Sequence, residues 1–164
     1  MLIDLRAPTP QDTNGIGREL AGLLRPGDAV ALTGELGAGK TTLVQGVALG
    51  LGFEGHVVSP TFTLVREYRA ARLTLIHVDV YRLERVQDVI DLGLDDELGE
   101  GDAVVFVEWG DAVEGLLPED HLVVELTVPG ASEERRLLIR GLGEPWAARW
   151  ERLEQVTEPW AVVA

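Results

Sequence analysis

The sequence predicts an α/β domain with a mixed central sheet in three layers, and three observations lead to this fold class. A short apolar run, a glycine-rich turn and a helical pattern follow one another at residues 29–52. A second apolar run, at residues 103–107, is uninterrupted, as in strands that are covered on both faces. Two late segments resemble a hairpin, which adds antiparallel strands. The 164 residues fit a single domain, which we place at residues 1–164.

The first predicted element is a helix with defined ends. Thr9 is suited to the N-cap, Pro10 to the first helical position, and Asp12 has the spacing of a capping box. Four apolar residues share one helical stripe, and the Pro26-Gly27 pair is expected to stop the helix. These four residues are Ile16, Leu20, Leu23 and Leu24.

The elements that follow alternate between strand and helix patterns. Residues 29–34 predict a buried strand, and residues 41–52 a helix that Gly50 and Gly52 end. Residues 56–68 predict a loop that enters a strand. Residues 72–83 have the alternating pattern of a strand, and one face of it consists of Leu73, Leu75, His77, Asp79 and Tyr81. The remaining predictions are a helix at 84–98, a strand at 103–108, a hairpin of 121–130 with 134–143, and an amphipathic helix at 144–156.

The composition restricts the class of protein. The chain has 28 acidic and 14 basic residues and a net charge of −14, so it should repel RNA and DNA when it acts alone. Fifteen acidic residues and no basic one lie between Arg85 and Arg135. This stretch is either a solvated acidic surface or a face for a basic partner. We see no signal peptide, no membrane-spanning run and no cysteine, which fits a cytoplasmic protein without membrane or DNA partners.

The segment LTGELGAGKTT contains the only lysine of the chain, whereas the other thirteen basic residues are arginine. Gly34, Gly39, Lys40 and Thr41 match the phosphate-binding pattern G-x-x-x-x-G-K-[ST], between a predicted strand and a predicted helix. In such a loop backbone N–H groups surround a phosphate, the lysine reaches the β- and γ-phosphates, and the hydroxyl can bind Mg²⁺. A compact ammonium fits there better than a planar guanidinium. The pattern predicts a nucleotide site in which loop residues contact the ligand: Glu35, Leu36, Gly37, Ala38, Gly39, Lys40, Thr41 and Thr42.

Two strand-end acids are candidates for the rest of the site. Glu108 ends the run AVVFVE and Asp79 lies in HVDVYR, so both are expected at the carboxyl edge of the sheet, where ligands bind in open α/β sheets. Each could equally be a hydrated edge carboxylate. Residues 59–63 (SPTFT) are an ordinary turn or a switch that senses the γ-phosphate.

The histidines and Trp109 are less informative. His56 and His121 are expected at the surface, and His77 belongs either to a polar network or to simple packing. Trp109 is expected to be a core residue or a wall on which a base stacks.

An ATPase has two alternatives among nucleotide-binding proteins, a small-molecule kinase and a GTP switch. A small-molecule kinase would need arginines over the phosphates, and candidates exist: Arg66, Arg69, Arg72, Arg82 and Arg85. A GTP switch would need an N-K-x-D segment, which is impossible because Asn14 and Lys40 are the only Asn and Lys.

Several motifs together resemble those of the TsaE (YjeE-type) family of P-loop ATPases, which act in tRNA threonylcarbamoyladenosine biosynthesis. The matching segments are GELGAGKTTLVQG, SPTFTLV, HVDVYRL and VEWG, in this order, within residues 34–110. The resemblance implies a three-layer P-loop NTPase fold with a mixed central sheet. It also implies ATP hydrolysis that is weak in the isolated chain and gated by partners.

The resemblance further implies residue roles and partners. Mg²⁺ would be held through Thr41 and Glu108, and Lys40, Asp79 and Glu108 would carry catalysis. Thr13 and Trp109 would lie near the nucleotide, and residues 59–63 would respond to it. The partners would be a two-protein complex that transfers threonylcarbamoyl to adenosine 37 of tRNAs, so that the chain meets tRNA only indirectly.

Overall fold

The computed structural model describes residues 1–35, 37–57, 65–79, 103–108, 117–130 and 132–163. The strands in these ranges are β1 Leu2–Ala7, β2 Ala29–Thr33, β3 Val65–Arg69, β4 Thr74–Asp79, β5 Ala103–Glu108, β6 His121–Thr127 and β7 Arg135–Leu142. The helices are α1 Pro10–Ala21, α2 Lys40–Leu51, α3 Glu144–Ala147 and α4 Trp150–Thr157, and a 3₁₀ turn follows at Glu158–Trp160.

The seven strands form one mixed sheet in the order β1-β7-β6-β2-β5-β4-β3. The centre, β6-β2-β5-β4, is parallel, whereas β7, β1 and β3 pair antiparallel with their neighbours. This confirms the α/β fold with a mixed sheet and the late hairpin. Strand β1 was not predicted, although Ile3, Leu5 and Ala7 alternate with polar residues and are buried.

The central strands β2, β4 and β5 are shielded from solvent on both faces, whereas β1, β3 and β7 have exposed residues. Helices α1 and α2 pack on one face, where Ile16, Leu43 and Val47 share a core with Leu75 and Phe106. The six residues of β5 are all buried, as predicted for a strand covered on both sides. Strand β4 confirms the strand predicted within residues 72–83, and residues from both of its faces are buried.

Helix α1 begins as predicted and ends earlier. Thr9 and Asp12 form the capping box, with Pro10 in the first turn. The helix stops at Ala21 and not at the Pro26-Gly27 pair, because tighter turns follow in which Leu23 and Leu24 donate to carbonyls three residues back. Arginine side chains accommodate this early end: Arg72 donates to the carbonyls of Ala21 and Leu24, and Arg149 to that of Leu23.

The predicted C-terminal helix consists of two helices. Between them, Arg149 turns its guanidinium back to the Pro145 carbonyl and to Asp28 instead of pointing outward. The single helix predicted at 144–156 is wrong in this respect, because a tighter turn, in which the Arg149 N–H donates to the Trp146 carbonyl, separates the two helices.

Some predictions fall outside the described residues. They concern the helix at 84–98, the segment 59–63, and the side chains of Leu36, Tyr81 and Trp109. Among the described helices, none has the length and apolar character needed to cross a membrane.

Candidate nucleotide site

The phosphate loop joins the carboxyl end of β2 to the amino end of α2. Gly34, Gly37 and Gly39 have φ values of 143°, 82° and 99°. Gly39 is the N-cap residue of α2 in the left-handed conformation, which a residue with a Cβ rarely adopts. Because no side chain caps this helix, its first N–H groups are available to an anion.

Lys40 is the first residue of α2 and folds back over the loop. Its Nζ donates to the Gly34 carbonyl at 2.8 Å, and the residue is only 5% exposed. Burial lowers the pKa of Lys40, and the nearby charges of Glu108 and Asp79 act in the opposite direction. An ammonium is thus held in a partly desolvated position beside two carboxylates.

The two carboxylates end neighbouring parallel strands. Asp79 of β4 and Glu108 of β5 are register partners, and Glu108 also pairs with Leu32 of β2. Both acids are buried, at 5% and 4% exposure. Parallel strands end at the same edge of a sheet. The fold therefore brings Lys40, Asp79 and Glu108 together at the carboxyl edge, where the sequence predicted the two acids.

The oxygen donors at this edge fit Mg²⁺. Glu108 supplies a carboxylate, and Thr41, half-buried in the first turn of α2, supplies a hydroxyl. No cluster of three or more His, Cys, Asp or Glu side chains suited to a metal occurs among the described residues. Magnesium in nucleotide sites does not need such a cluster, because it is held by one or two carboxylates together with phosphates and water.

Close helix packing places Thr13 beside the loop. A Cβ at Gly46 of α2 would lie 2.1 Å from the Asn14 carbonyl, so α1 and α2 approach closely only because this residue is glycine. Thr13 is 1% exposed, and its Oγ1 has no hydrogen-bond partner within the described ranges. Its Cγ2 is 3.8 Å from the position of a Cβ on Gly39. A buried hydroxyl without a partner, next to a phosphate loop, suits a ligand.

Arg135 is a residue of this site that the sequence prediction missed. Its Nη1 donates to the carbonyls of Ser132 and Glu134, and its Nη2 donates to the Gly37 carbonyl at 3.3 Å. Its buried Nε has no hydrogen-bond partner among the described residues. Arg135 thus holds the phosphate loop from the hairpin side. The feature of the sequence that distinguishes Arg135 is that it is the first arginine after the acidic stretch that follows Arg85.

The other predicted residues are distributed as follows. Glu35 and Gly37 are exposed on the loop, Ala38 is buried and Thr42 is half-buried. His56 is exposed as predicted, whereas His121 is buried and its Nδ1 lies 2.8 Å from the Pro118 carbonyl, so its predicted surface position is wrong. His77 is fully buried and lies against Glu108.

Comparison with known proteins shows the family to which the chain belongs. The model of the family described as "Threonylcarbamoyl adenosine biosynthesis protein TsaE" matches residues 7–137. The chain belongs to the TsaE family. It is 39% identical to the TsaE of Bacillus subtilis over 92% of both chains. It is 46% identical to that of Streptomyces coelicolor, over 80% of this chain and 92% of the relative.

A solved TsaE-type structure confirms the fold. The crystal structure of Bacillus subtilis YdiB superposes with a TM-score of 0.81 at 34% identity, covering 94% of this chain and 95% of that one. The α/β fold with a mixed sheet is therefore the P-loop NTPase-like fold of this family, and nucleotide binding is consistent with it.

Proposed function

We propose that this chain is the ATP-hydrolysing subunit needed for threonylcarbamoylation of adenosine 37 in tRNAs. The observation that carries the proposal is the complete phosphate loop with Lys40 beside the strand-end acids Asp79 and Glu108. The names of the relatives support the pathway, because they are threonylcarbamoyladenosine biosynthesis proteins.

In this proposal each residue of the site has its own role in binding or hydrolysing ATP. The loop N–H groups and the Lys40 ammonium bind the β- and γ-phosphates, and Thr41 and Glu108 hold Mg²⁺. When bound, Mg²⁺ neutralises charge that develops on the phosphate oxygens. Asp79 orients the water that attacks the γ-phosphorus. Because these groups are buried, their charges act in a medium of low dielectric, where they stabilise the transition state more than in water.

The nucleotide in this proposal controls a partner. A chain with a net charge of −14 is a poor tRNA binder, so the two-protein threonylcarbamoyl-transferase complex would hold the tRNA. ATP binding and hydrolysis would change the fit of the chain to that complex. We place this activity in the cytoplasm.

The test is ATP hydrolysis with Mg²⁺, by the chain alone and then with the cognate two-protein complex. We expect slow turnover alone and faster turnover with the complex, and we expect Lys40→Ala to remove both. Turnover that the complex leaves unchanged would separate the chain from tRNA modification.

The alternative, a small-molecule kinase, would then be tested with a panel of phosphate acceptors. Two of the three candidate arginines that the structure describes make contacts within the chain. Arg72 donates to the Ala21 and Leu24 carbonyls, and Arg69 pairs with Glu67 on the same strand.

A further inference from the structure

A fully buried histidine lies directly beside the proposed metal ligand. The Nε2 atom of His77 is 3.1 Å from Oε1 of Glu108, and the His77 side chain has no exposed surface. We propose that His77 is a positioning residue, which holds the Glu108 carboxylate in the orientation that binds a magnesium–nucleotide. This inference rests on the proposed function, since it assigns a supporting residue to the same site.

The strand register directs His77 toward Glu108. In the β4–β5 ladder Asp79 pairs with Glu108, and His77 pairs with Phe106. Register partners and residues two apart project on the same face of a sheet. Glu108 therefore has Asp79 as its lateral neighbour and His77 as its diagonal neighbour. The backbone of two buried strands fixes all three positions.

Apart from Asp79 and Glu108, the described neighbours of His77 on its face of the β4–β5 ladder are apolar. Its ladder partner Phe106 and its strand neighbour Leu75 are fully buried apolar residues. Neither ring nitrogen has a hydrogen-bond partner in the described part of the chain, although Nε2 touches the carboxylate. Leaving such a group buried and unsatisfied costs about 1–3 kcal/mol, which an apolar side chain would avoid.

A carboxylate that binds a metal needs a partner that fixes its rotation. Residues that hydrogen-bond to metal ligands orient them, and their mutation typically costs about 10–100-fold in metal affinity. The distance of 3.1 Å between Nε2 of His77 and Oε1 of Glu108 is already that of a hydrogen bond. His77 is thus placed to favour the rotation in which Glu108 meets the metal.

The experiment measures how much Mg²⁺ strengthens nucleotide binding. The dissociation constant of a fluorescent ATP analogue, N-methylanthraniloyl-ATP, is measured with Mg²⁺ and with EDTA, and the ratio of the two is the magnesium effect. We expect Glu108→Ala to abolish the effect and His77→Leu to reduce it about tenfold, with binding in EDTA unchanged. His77→Gln, whose amide can occupy the place of Nε2, should retain most of it.

His121 provides the matched control. It is also a buried histidine on a strand, but it begins β6 and so lies at the opposite edge of the parallel sheet. His121→Leu should leave the magnesium effect within about twofold of wild type, because distant sites act independently. If His77→Leu fails to fold, as judged by circular dichroism, His77→Gln is compared with His77→Asn. Asparagine cannot reach the Nε2 position and should show the weaker effect.

The outcomes separate the two proposals. An unchanged magnesium effect in His77→Leu, equal losses with and without Mg²⁺, or a glutamine variant no better than leucine or asparagine would overturn the positioning role. In those cases a normal response of Glu108→Ala would leave the proposed function standing. If wild type fails to bind the analogue, or Glu108→Ala keeps the full magnesium effect, the proposed function fails and the positioning role with it.

Discussion

Buried polar groups have different partners at the two edges of the parallel sheet. At the amino edge, Asp28 precedes β2 and accepts two bonds from Arg149, at 2.6 and 3.0 Å. The same guanidinium donates to the carbonyls of Leu23 and Pro145 and lies 3.8 Å from the Trp146 ring centroid. The Arg149 guanidinium is thus used for contacts within the chain.

Several buried polar and charged groups lie together at the carboxyl edge. Lys40, Asp79 and Glu108 are brought together at a desolvation cost, and the ring nitrogens of His77 lack hydrogen-bond partners among the described residues. Charges arranged in this way are characteristic of functional sites. We infer that substitutions at the amino edge change stability, and that substitutions at the carboxyl edge change nucleotide binding.

The largest effect is expected at the amino edge. Arg149→Ala removes the charged partner of Asp28, whose side chain is 11% exposed, and leaves the carboxylate with the Arg25 N–H as its donor. This loss should lower the free energy of unfolding by about 3–5 kcal/mol. Urea denaturation measures this change. Arg152→Ala, on the exposed face of α4, is the control and should change stability by less than about 0.5 kcal/mol. A weakened affinity for ATP in the folded Arg149 variant would break the division between the two edges.

Lys40→Ala should produce the next largest effect, and at the other edge. Losing a hydrogen bond from a charged group costs about 1.5–3 kcal/mol, so the affinity for ATP should fall about ten- to a hundredfold. The free energy of unfolding should change less than it does in Arg149→Ala, because the desolvation that lowers the pKa of Lys40 opposes its attraction to Glu108 and Asp79. Titration with the fluorescent analogue and thermal unfolding measure the two quantities.

Lys40→Arg sharpens this prediction, because it keeps the charge. The planar guanidinium does not fit a loop in which Nζ reaches the Gly34 carbonyl at 2.8 Å. We expect the arginine variant to bind ATP as weakly as the alanine variant. Binding at the wild-type level would show that charge alone matters, and the single lysine of this chain would lose its chemical explanation.

The central part of the molecule could be predicted from sequence because its signals are local. The run at residues 103–107 is apolar without interruption, and the glycines around Lys40 have no other common use than a phosphate loop. The positions of Asp79 and Glu108 follow from one rule, that parallel strands end at the same edge. In this part of the chain the residue types that the fold requires, such as the glycines of the loop, are also those that the nucleotide site requires.

The rest could not be predicted because it depends on contacts distant in sequence. Helix α1 ends at Ala21 because Arg72 and Arg149 bind the carbonyls that the turn releases. Arg135 reaches Gly37 across 98 positions of sequence, a contact that no local pattern encodes. Strand β1 is a different case, because the alternation of Ile3, Leu5 and Ala7 with polar residues is visible in the sequence itself.

Arg135→Gln tests the hairpin support of the loop. The bond from Nη2 to the Gly37 carbonyl is worth about 1 kcal/mol if it helps to hold the loop in its binding shape, so ATP affinity should fall about fivefold. Arg140→Gln, an exposed arginine on the same strand, serves as the control in the same titration. Equal affinities in the two variants would remove Arg135 from the site.

The smallest effect is expected at the start of α1, as a dependence of stability on pH. Hydrogen bonds from the Thr9 hydroxyl and from Trp160 Nε1 hold the pKa of Asp12 below its usual value of 3.8. A depressed folded-state pKa stabilises the protein above the unfolded-state pKa, and this contribution is lost as the pH falls through the folded-state value. A carboxylate at a helix N-terminus contributes about 0.3–1 kcal/mol, so Asp12→Asn should be less stable than wild type by this amount at pH 7.

The difference between wild type and Asp12→Asn should shrink as the pH falls below about 4, because the wild-type carboxyl then becomes neutral as well. Urea denaturation between pH 7 and pH 2.5 measures it, with Glu19→Gln on the exposed face of α1 as the control. A difference that stays constant with pH would mean that the charge of Asp12 contributes nothing. The capping box would then act through its neutral hydrogen bonds alone, and acid would leave α1, and with it the position of Thr13 beside the phosphate loop, undisturbed.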